Sequence, residues 1–242
     1  MIVRLNRYLS MCGITSRRKA DELVRKVGVY INGQLTNGLG YMVNTDSDIV
    51  KIGDRILTPE NKRYVLLNKP EFYLTALGKG QGNKKTIEEL ISDIPERVFP
   101  VGRLDYDTEG LLILTNDGEL ANRILHPRYE LIKKYFAIVM GNVHEKIVGN
   151  MRLGVELKDG YAKPDIAEIL KYEDNKTHIK IAFHEGRKHI VKRYLSKFGH
   201  PVISLRRVSI GPIKLGNLHN GKWRDLSDKE IISLKEAVNL QE

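Results

Sequence analysis

The residues most able to do chemistry lie in one short stretch, Gly102–Gly110, which reads Gly-Arg-Leu-Asp-Tyr-Asp-Thr-Glu-Gly. It is followed at once by the apolar run Leu111–Leu114 and by an Asn-Asp-Gly turn at 116–118. An apolar run of this kind predicts a buried strand, so the polar residues before it would be held at the edge of a core. The carboxylate of Asp105 is therefore a candidate nucleophile or general base.

Two other interpretations of this stretch remain open from spacing alone. The opening positions of a calcium-binding loop are matched by Asp105, Asp107, Glu109 and Gly110. The twelfth position, however, is Asn116 instead of glutamate, and a leucine-rich run replaces the rest of such a loop. The stretch also fits an ordinary polar turn entering a strand, in which Arg103 and Asp105 form a surface ion pair.

The bulk composition limits the classes of partner. The 242 residues carry 40 Lys and Arg against 30 Asp and Glu, a net charge of +10, and the pI is near 9.5. This balance favours a polyanionic partner, nucleic acid before membrane. No run approaches the roughly 20 apolar residues that span a bilayer, and the N-terminus lacks the apolar segment of a signal peptide.

Cysteine and histidine usage excludes two kinds of site. The single Cys12 excludes an internal disulfide, so we expect a cytoplasmic protein. The histidines are scattered, and the closest pair, His184 and His189, has neither helical i,i+4 spacing nor cysteine partners. We therefore expect no zinc site.

Residues 1–57 form a small basic module in the sequence pattern. Apolar residues at helical spacing predict two helices, the first ending at Gly13 and the second capped by Ser16. The second helix carries a basic face, and a strand then runs into Asn32-Gly33, the dipeptide best suited to a two-residue hairpin. A basic helix beside a small sheet suits phosphate binding, although a solvated charged face is the simpler alternative.

A polar, Pro-containing segment at 58–63 predicts a linker, and a second domain follows over 64–242. Its strand-like and helix-like runs mix without βαβ repetition, which favours an α+β fold with a mostly antiparallel mixed sheet. The glycine-rich basic segment 78–85 lacks the Gly-Lys-Ser/Thr ending of a P-loop, so no nucleotide cofactor is expected.

The densest positive segment is 185–215, which has a net charge of +7. A helix predicted near 187–198 buries one apolar face, and this leaves Lys192 free to approach a site without disturbing the core. The alternative is that this segment is simply a second phosphate-binding face.

Two resemblances add to this interpretation. The order of helix, Gly-Ile-Thr-Ser-Arg-Arg link, basic helix and Asn-Gly hairpin resembles the S4-type RNA-binding domain over most of residues 2–57. That resemblance implies RNA contacts from Arg17, Arg18, Lys19 and Arg25.

The second resemblance covers nearly the whole chain. It rests on Gly-Arg-Leu-Asp-x-Asp-Thr-x-Gly-Leu-Leu at 102–112, Lys134-Tyr135, Glu-Gly-Arg-x-His-x-Val-Lys-Arg at 185–193 and Gly-His-Pro-Val at 199–202. These motifs resemble the ribosomal-RNA pseudouridine synthases, in the branch with an N-terminal S4 domain called the RsuA/RluB group. Ile190 and Tyr194 depart from the glutamine and methionine usual in the third motif.

The resemblance implies roles for particular residues. Asp105 would be the catalytic carboxylate, Tyr135 would stack on the target uracil, and Lys192 would pair with Asp105. Arg103 would hold RNA or fill the gap left by a flipped base. Tyr135 as a plain edge-strand aromatic and Arg103 as a structural ion-pair partner are the alternatives. Further RNA contacts are expected from Arg187 and Arg193.

The implied reaction is isomerisation of a specific uridine in ribosomal RNA to pseudouridine, with base flipping and without metal or organic cofactor. Residues 118–123 and His126-Pro127 resemble the large-subunit branch of the family more closely, and this resemblance favours 23S RNA. The alternatives are the same chemistry on 16S RNA, or a noncatalytic RNA-binding ribosome-assembly factor. We expect a monomer whose partner is ribosomal RNA or an assembling ribosomal subunit. Which uridine is modified, and the chemical step performed by Asp105, stay open.

Overall fold

The computed structural model describes residues 1–36, 38 and 40–240, and it divides into two compact units. Met1–Lys62 and Pro95–Arg97 form the first unit, and the remaining described residues form the second. Of the predicted linker, 58–63, residues 58–62 lie within the first unit and Arg63 begins the second. The Glu60 amide donates to the Met11 carbonyl at 2.8 Å. No helix in the described part of the chain is long and apolar enough to cross a membrane.

The described residues of the first unit form two helices and six short strands. They are β1 (Ile2–Arg4), α1 (Leu5–Met11), α2 (Ala20–Val27), β2 (Val29–Ile31), β3 (Gln34–Thr36), β4 (Met42–Asn44), β5 (Val50–Ile52) and β6 (Arg55–Ile56). Strand β1 pairs with β4, and the order β3-β2-β5-β6 makes a second small sheet. Both helices bury their apolar positions against these strands, which is the packing that their helical periodicity predicted.

Two local predictions for this unit have different outcomes. Asn32 and Gly33 both adopt positive φ (51° and 81°) between β2 and β3, as the hairpin prediction required. The prediction that Ser16 caps the second helix is wrong. Its hydroxyl accepts from the Lys19 amide at 3.3 Å and closes a separate turn, and α2 begins only at Ala20.

Within the described part of the chain, the second unit has four helices and eleven strands. They are β7 (Tyr64–Lys69), β8 (Phe99–Pro100), β9 (Glu109–Thr115), α3 (Gly118–Leu125), β10 (Lys133–Met140), α4 (Glu145–Leu153), β11 (Val155–Leu157), β12 (Gly160–Ala162), β13 (Ile166–Glu173), β14 (Lys176–Phe183), α5 (Ile190–Lys197), β15 (Val202–Ile210), β16 (Ile213–Lys214), β17 (Trp223–Asp225) and α6 (Asp228–Glu236). Short 3₁₀ turns occupy Ile87–Leu90 and Pro127–Tyr129.

Nine of these strands form one sheet with the path β13-β14-β10-β15-β9-β7-β17, to which β16 adds at β15 and β8 at β9. The pairing is antiparallel except between β9 and β15, which run parallel through Glu109–Arg206 and Gly110–Arg207. The prediction of a mostly antiparallel mixed sheet is therefore confirmed. The parallel pair lies in the middle of the sheet, where its two antiparallel halves join.

The run Leu111–Leu114 is buried on both faces of this sheet. Leu111 and Ile113 pack on the side of α3 and α6, whereas Leu112 and Leu114 pack on the opposite side against the 3₁₀ turn containing Ile87. Because neither face meets water, the strand needs no polar alternation, and its apolar run is continuous. This burial anchors the chain directly after Asp105.

Helix α6 begins with a pH-sensitive contact at Glu230. Glu230 receives a bidentate pair from Arg224, with both N···O distances 2.7 Å, and accepts from the Ser227 amide at 2.9 Å. The Arg224 contact, the Ser227 amide and the nearby positive charge lower the pKa of Glu230 to about 2 despite its partial burial.

Replacing Glu230 with glutamine is expected to lower the free energy of unfolding at pH 7 by about 1–3 kcal/mol, because the charged pair and the helix cap are lost together. A depressed carboxyl pKa stabilises the fold above the unfolded value of about 4.3 and ceases to do so as the pH falls through 2. Denaturant unfolding of wild type and variant should therefore converge near pH 2. Glu236→Gln, in the last turn of the same helix, is the control, and an equal loss in both variants would contradict the assignment.

Candidate active site

A cavity of about 290 Å³ opens in the second unit beside the parallel strand pair. Its walls come from the loop before β9, the start of β10, the segment leading into α5, and β15. Asp105, Tyr135 and Lys192, far apart in sequence, all line it. The predicted catalytic residues are therefore brought together by the fold.

The loop that carries Asp105 is fixed by the segment after β7. The Thr75 hydroxyl donates to the Leu104 carbonyl at 2.7 Å and accepts from the Leu104 amide at 3.2 Å. The buried Lys69 ammonium donates to the carbonyl of Thr108 at 2.9 Å, on the far side of Asp105. Both ends of the loop are thus held by buried or partly buried hydrogen bonds, which keeps the carboxylate in place.

The glycine that ends the motif, Gly110, is required by the backbone at this position. It adopts φ of 109°, and a Cβ built there would lie 2.3 Å from the Arg207 carbonyl oxygen. Only glycine allows β9 to approach β15 this closely at the start of their parallel pairing. The same close approach brings Arg207 of β15 to the cavity.

The ion pairs around Asp105 differ from the prediction. Asp105 Oδ1 lies 3.2 Å from His189 Nε2, whereas Lys192 Nζ lies 2.5 Å from Asp107 Oδ1. In place of the predicted pair of Lys192 with Asp105, the ring of His189, which precedes α5 with φ of 53°, lies against Asp105, and Lys192 pairs with Asp107. The Lys192 hydrogen bond lowers the pKa of Asp107.

Three further cations, which the sequence analysis did not select, belong to this region: Lys133 and Arg207 line the cavity, and Lys69 lies close enough to Asp105 and Asp107 to feel their charge. Lys69 is 0% exposed and Arg207 is 5% exposed, and Lys133 donates to the His184 carbonyl at 2.6 Å. Burial lowers the pKa of Lys69 to about 8, although the carboxylates of Glu71, Asp105 and Asp107 oppose the shift. Burial and the charge of Arg207 likewise lower the pKa of Lys133 to about 8.

Arg207 has an unused donor. Its Nε donates to the Leu111 carbonyl at 2.8 Å, but its buried Nη2 makes no hydrogen bond to any residue that the structure describes. Arg207 lies opposite Tyr135 in the β10–β15 register, and Lys133 is two residues before Tyr135 on β10. Residues two apart on a strand share a face, so an aromatic ring and two cations line one wall. That wall suits a flat ligand rich in acceptor oxygens.

Arg103 and Arg187, two of the residues predicted to contact RNA, differ in how far the protein itself engages them. Arg103 lines the cavity, is exposed, and forms no ion pair with Asp105 among the contacts of the described residues. Arg187 donates to the Asp159, Gly160 and Tyr161 carbonyls and to both carboxylate oxygens of Glu185.

Arg193 makes a bidentate pair with Asp159, both N···O distances being 2.8 Å. Arg187 also lines the cavity, and the RNA contacts expected of Arg187 and Arg193 stay a prediction. These internal bonds fasten the β11–β12 hairpin turn to α5 and the segment before it, while the buried Nε of Arg193 has no hydrogen-bond partner among the described residues. Spacing along the chain could not reveal this, because Asp159 is distant in sequence.

The predicted RNA contacts of the first unit, Arg17, Arg18, Lys19 and Arg25, are all exposed. The first three lie on the turn closed by Ser16, and Arg25 lies on α2. Three of these four residues therefore lie on a turn and one lies on α2, whereas the sequence pattern predicted all four on one helix. Among the described residues, no group of three or more His, Cys, Asp or Glu side chains could hold a metal ion.

Sequence reasoning missed Lys69, Lys133 and Arg207. Lys69 closely follows the apolar residues 64–67, and Lys133 lies two residues before Tyr135, so a lysine adjoining an apolar run was a usable signal. Arg207 had no such signal, because it follows another arginine in a basic segment.

Comparison with known proteins agrees with this geometry. Residues 63–197 match the family model described as RNA pseudouridylate synthase. An uncharacterized RNA pseudouridine synthase of Aquifex aeolicus is 57% identical over 100% of this chain and 97% of its own length. Ribosomal large subunit pseudouridine synthase B of Bacillus subtilis is 37% identical over 96% and 95% of the two chains. A crystal structure of a pseudouridylate synthase matches with a TM-score of 0.66 and 28% identity, covering 96% of this chain and 99% of that one.

Proposed function

Because the chain belongs to the RNA pseudouridylate synthase family, we propose that it converts one specific uridine of ribosomal RNA, in the 23S molecule, to pseudouridine. The observation that carries the proposal is Asp105, fixed at the wall of a cavity that also presents Tyr135 and Lys192. The name of the Bacillus subtilis relative supports the large-subunit RNA as substrate. Such a substrate implies action in the cytoplasm, and we propose that the enzyme acts as a monomer.

In the proposed reaction the target nucleotide leaves its stack and enters the cavity, where Tyr135 stacks on the uracil. The N1–C1′ bond breaks, the base rotates, and a C5–C1′ bond forms. The proton lost from C5 is balanced by the proton gained at N1, so the reaction needs no oxidant, reductant or water. Asp105 acts by attack on C1′, by addition to C6 or by removal of the C2′ proton.

In each of these three routes negative charge grows on the carbonyl oxygens of the base. It grows there when the base departs with the bonding electrons of N1–C1′, and also when addition to C6 generates an enolate. Lys133 and the unused Nη2 donor of Arg207 line the same wall as Tyr135, and we propose that they stabilise this charge. Fixed donors in a partly dry site are the most effective form of such stabilisation.

The test of the proposal is site-resolved pseudouridine mapping of 16S and 23S RNA from cells with and without this protein. We expect one 23S site to disappear and to return when the wild-type protein, but not Asp105→Asn, is restored. Loss of a 16S site would move the substrate to the small subunit. An unchanged map would contradict the ribosomal assignment.

We also propose that the first unit is an S4-like RNA-binding domain. Its support is two helices over a small sheet with an Asn-Gly hairpin, and the exposed Arg17, Arg18, Lys19 and Arg25. Each phosphate contact releases counterions, so binding through these side chains makes RNA affinity depend on salt.

Replacing these four cations together with glutamine is therefore expected to weaken RNA binding at low salt. The slope of log K against log salt should flatten by up to about 3, since each contact with single-stranded RNA contributes roughly 0.7. Filter binding of a ribosomal RNA fragment at a series of salt concentrations measures the slope. Thermal unfolding checks that the variant is folded, and an unchanged slope in a folded variant would argue against an RNA role for this unit.

A further inference from the structure

Phe72 is held in a conformation and an environment that are both unfavourable for its side chain. Its φ is 64°, in the left-handed region that bulky residues avoid, and 59% of the residue is exposed to solvent. A glycine would adopt this backbone without strain. Strained residues of this kind concentrate at functional sites, and here the strain carries an exposed aromatic ring.

The surrounding contacts fix Phe72 beside the catalytic carboxylate. Its amide donates to the Tyr106 carbonyl at 2.6 Å, and its ring packs edge-to-face on Tyr106 with centroids 5.7 Å apart. Tyr106 directly follows Asp105. We call Phe72, Tyr106 and Lys84, which lies over the Tyr106 ring, the Phe72 platform.

Positive charge borders this ring pair. Lys84 Nζ lies 4.8 Å from the centre of the Tyr106 ring, and Lys85 Nζ lies 5.7 Å from that of Tyr73. Both lysines are exposed and end the segment 78–85, which contains a third lysine and no acidic residue. An exposed aromatic face bordered by lysines is the usual surface for an unpaired nucleotide, whose base stacks while its phosphate meets the cations.

We propose that Phe72 stacks on the base of a nucleotide next to the target uridine, and that Lys84 and Lys85 contact the adjoining phosphates. This inference rests on the proposed function for its RNA substrate, and it adds a contact outside the reaction cavity, whose lining does not include Phe72. A neighbouring base held on the platform would keep the strand unstacked while the uridine lies in the cavity.

The substitution Phe72→Gly separates this role from folding, because glycine relieves the backbone strain and removes only the ring. We expect its melting temperature to equal or exceed that of wild type. In the Asp105→Asn background, its affinity for a labelled single-stranded ribosomal RNA fragment spanning the mapped site should fall about 5- to 100-fold, the usual range for loss of one stacked base. Phe72→Trp should retain the affinity.

A spectroscopic signal tests the stacking directly. With 2-aminopurine placed beside the target uridine, binding should quench its fluorescence in the wild type and in Phe72→Trp, but not in Phe72→Gly. Phe136→Leu is the matched control, because Phe136 is also an exposed phenylalanine of this unit, at 45%, and does not line the cavity. Lys84→Gln should flatten the salt dependence by roughly 0.7.

If Phe72→Gly is folded and binds and quenches as wild type does, the proposal is wrong, whereas pseudouridine formation by the wild type would still support the proposed function. If Phe72→Gly is instead destabilised, the stacking role is tested with Phe72→Leu. Leucine keeps apolar contact with Tyr106 but offers no aromatic face. Wild-type affinity and quenching in Phe72→Leu would then overturn the proposal, and their loss would support it. If no ribosomal RNA site depends on the protein and the wild type does not bind RNA, the proposed function itself is wrong.

Discussion

Asp105→Asn is expected to abolish pseudouridine formation while leaving RNA affinity within about twofold of wild type. Asparagine keeps the size of the side chain and its place beside His189, but it is neither a nucleophile nor a base at neutral pH. Loss of the group that bonds to substrate or removes its proton costs at least roughly 10⁴-fold in rate when no other group can replace it.

Single-turnover assays on a ribosomal RNA fragment measure this rate, and filter binding measures the affinity. Asp107→Asn is the matched control, because Asp107 is more exposed, pairs with Lys192 and does not line the cavity. We expect Asp107→Asn to lose far less activity. Equal rates for Asp105→Asn and wild type would remove Asp105 from the mechanism, and equal large losses in both variants would point to a shared structural effect.

Lys133→Met should reduce the single-turnover rate by about 10²–10³-fold, the usual cost of removing one donor that stabilises developing negative charge. Methionine fills a similar volume without charge, and the affinity for RNA should change little, since the lost interaction acts mainly on the transition state. Lys134→Met is the control, because Lys134 is adjacent on β10 and does not line the cavity. If the loss appeared in affinity with an unchanged single-turnover rate, Lys133 would be a phosphate contact.

The pH dependence distinguishes a charge effect from a packing effect. Since the pKa of Lys133 is lowered to about 8, its cation is lost as the pH rises through 8, and the wild-type rate should fall there. Lys133→Arg stays charged and should keep a larger share of its pH 7 rate at pH 9. Identical pH profiles for wild type and Lys133→Arg would show that protonation of Lys133 is not required.

This fall in rate is not expected to reflect unfolding caused by Lys133. Its folded pKa lies below the unfolded value of about 10.4, so between these values the unfolded chain binds more protons than the folded chain. The contribution of Lys133 to the free energy of unfolding therefore rises with pH over that window. Thermal unfolding at pH 7 and pH 9 checks this sign.

Much of the fold could be predicted from local sequence patterns, because each pattern depends only on residues close together in the chain. The leucine run at 111–114, the Asn32-Gly33 hairpin and the long strands of the mostly antiparallel sheet follow from burial and backbone preference over a few residues. Helices α4 and α6 were not predicted. The Ser16 cap failed because the same hydrogen bond can close an isolated turn as readily as it can begin a helix.

The sequence by itself determined which residues are candidates for the chemistry. The motif around Asp105 and the basic helix with Lys192 could be selected from residue types and spacing, and Tyr135 from the family resemblance. Only the tertiary structure decided how they pair. Close packing of β9 on β15 at Gly110 brings Arg207 to the cavity, His189 takes the place expected for Lys192, and Asp159 engages Arg187 and Arg193. Such pairings depend on distances between segments far apart in sequence, and these distances are set by packing, which spacing along the chain does not encode.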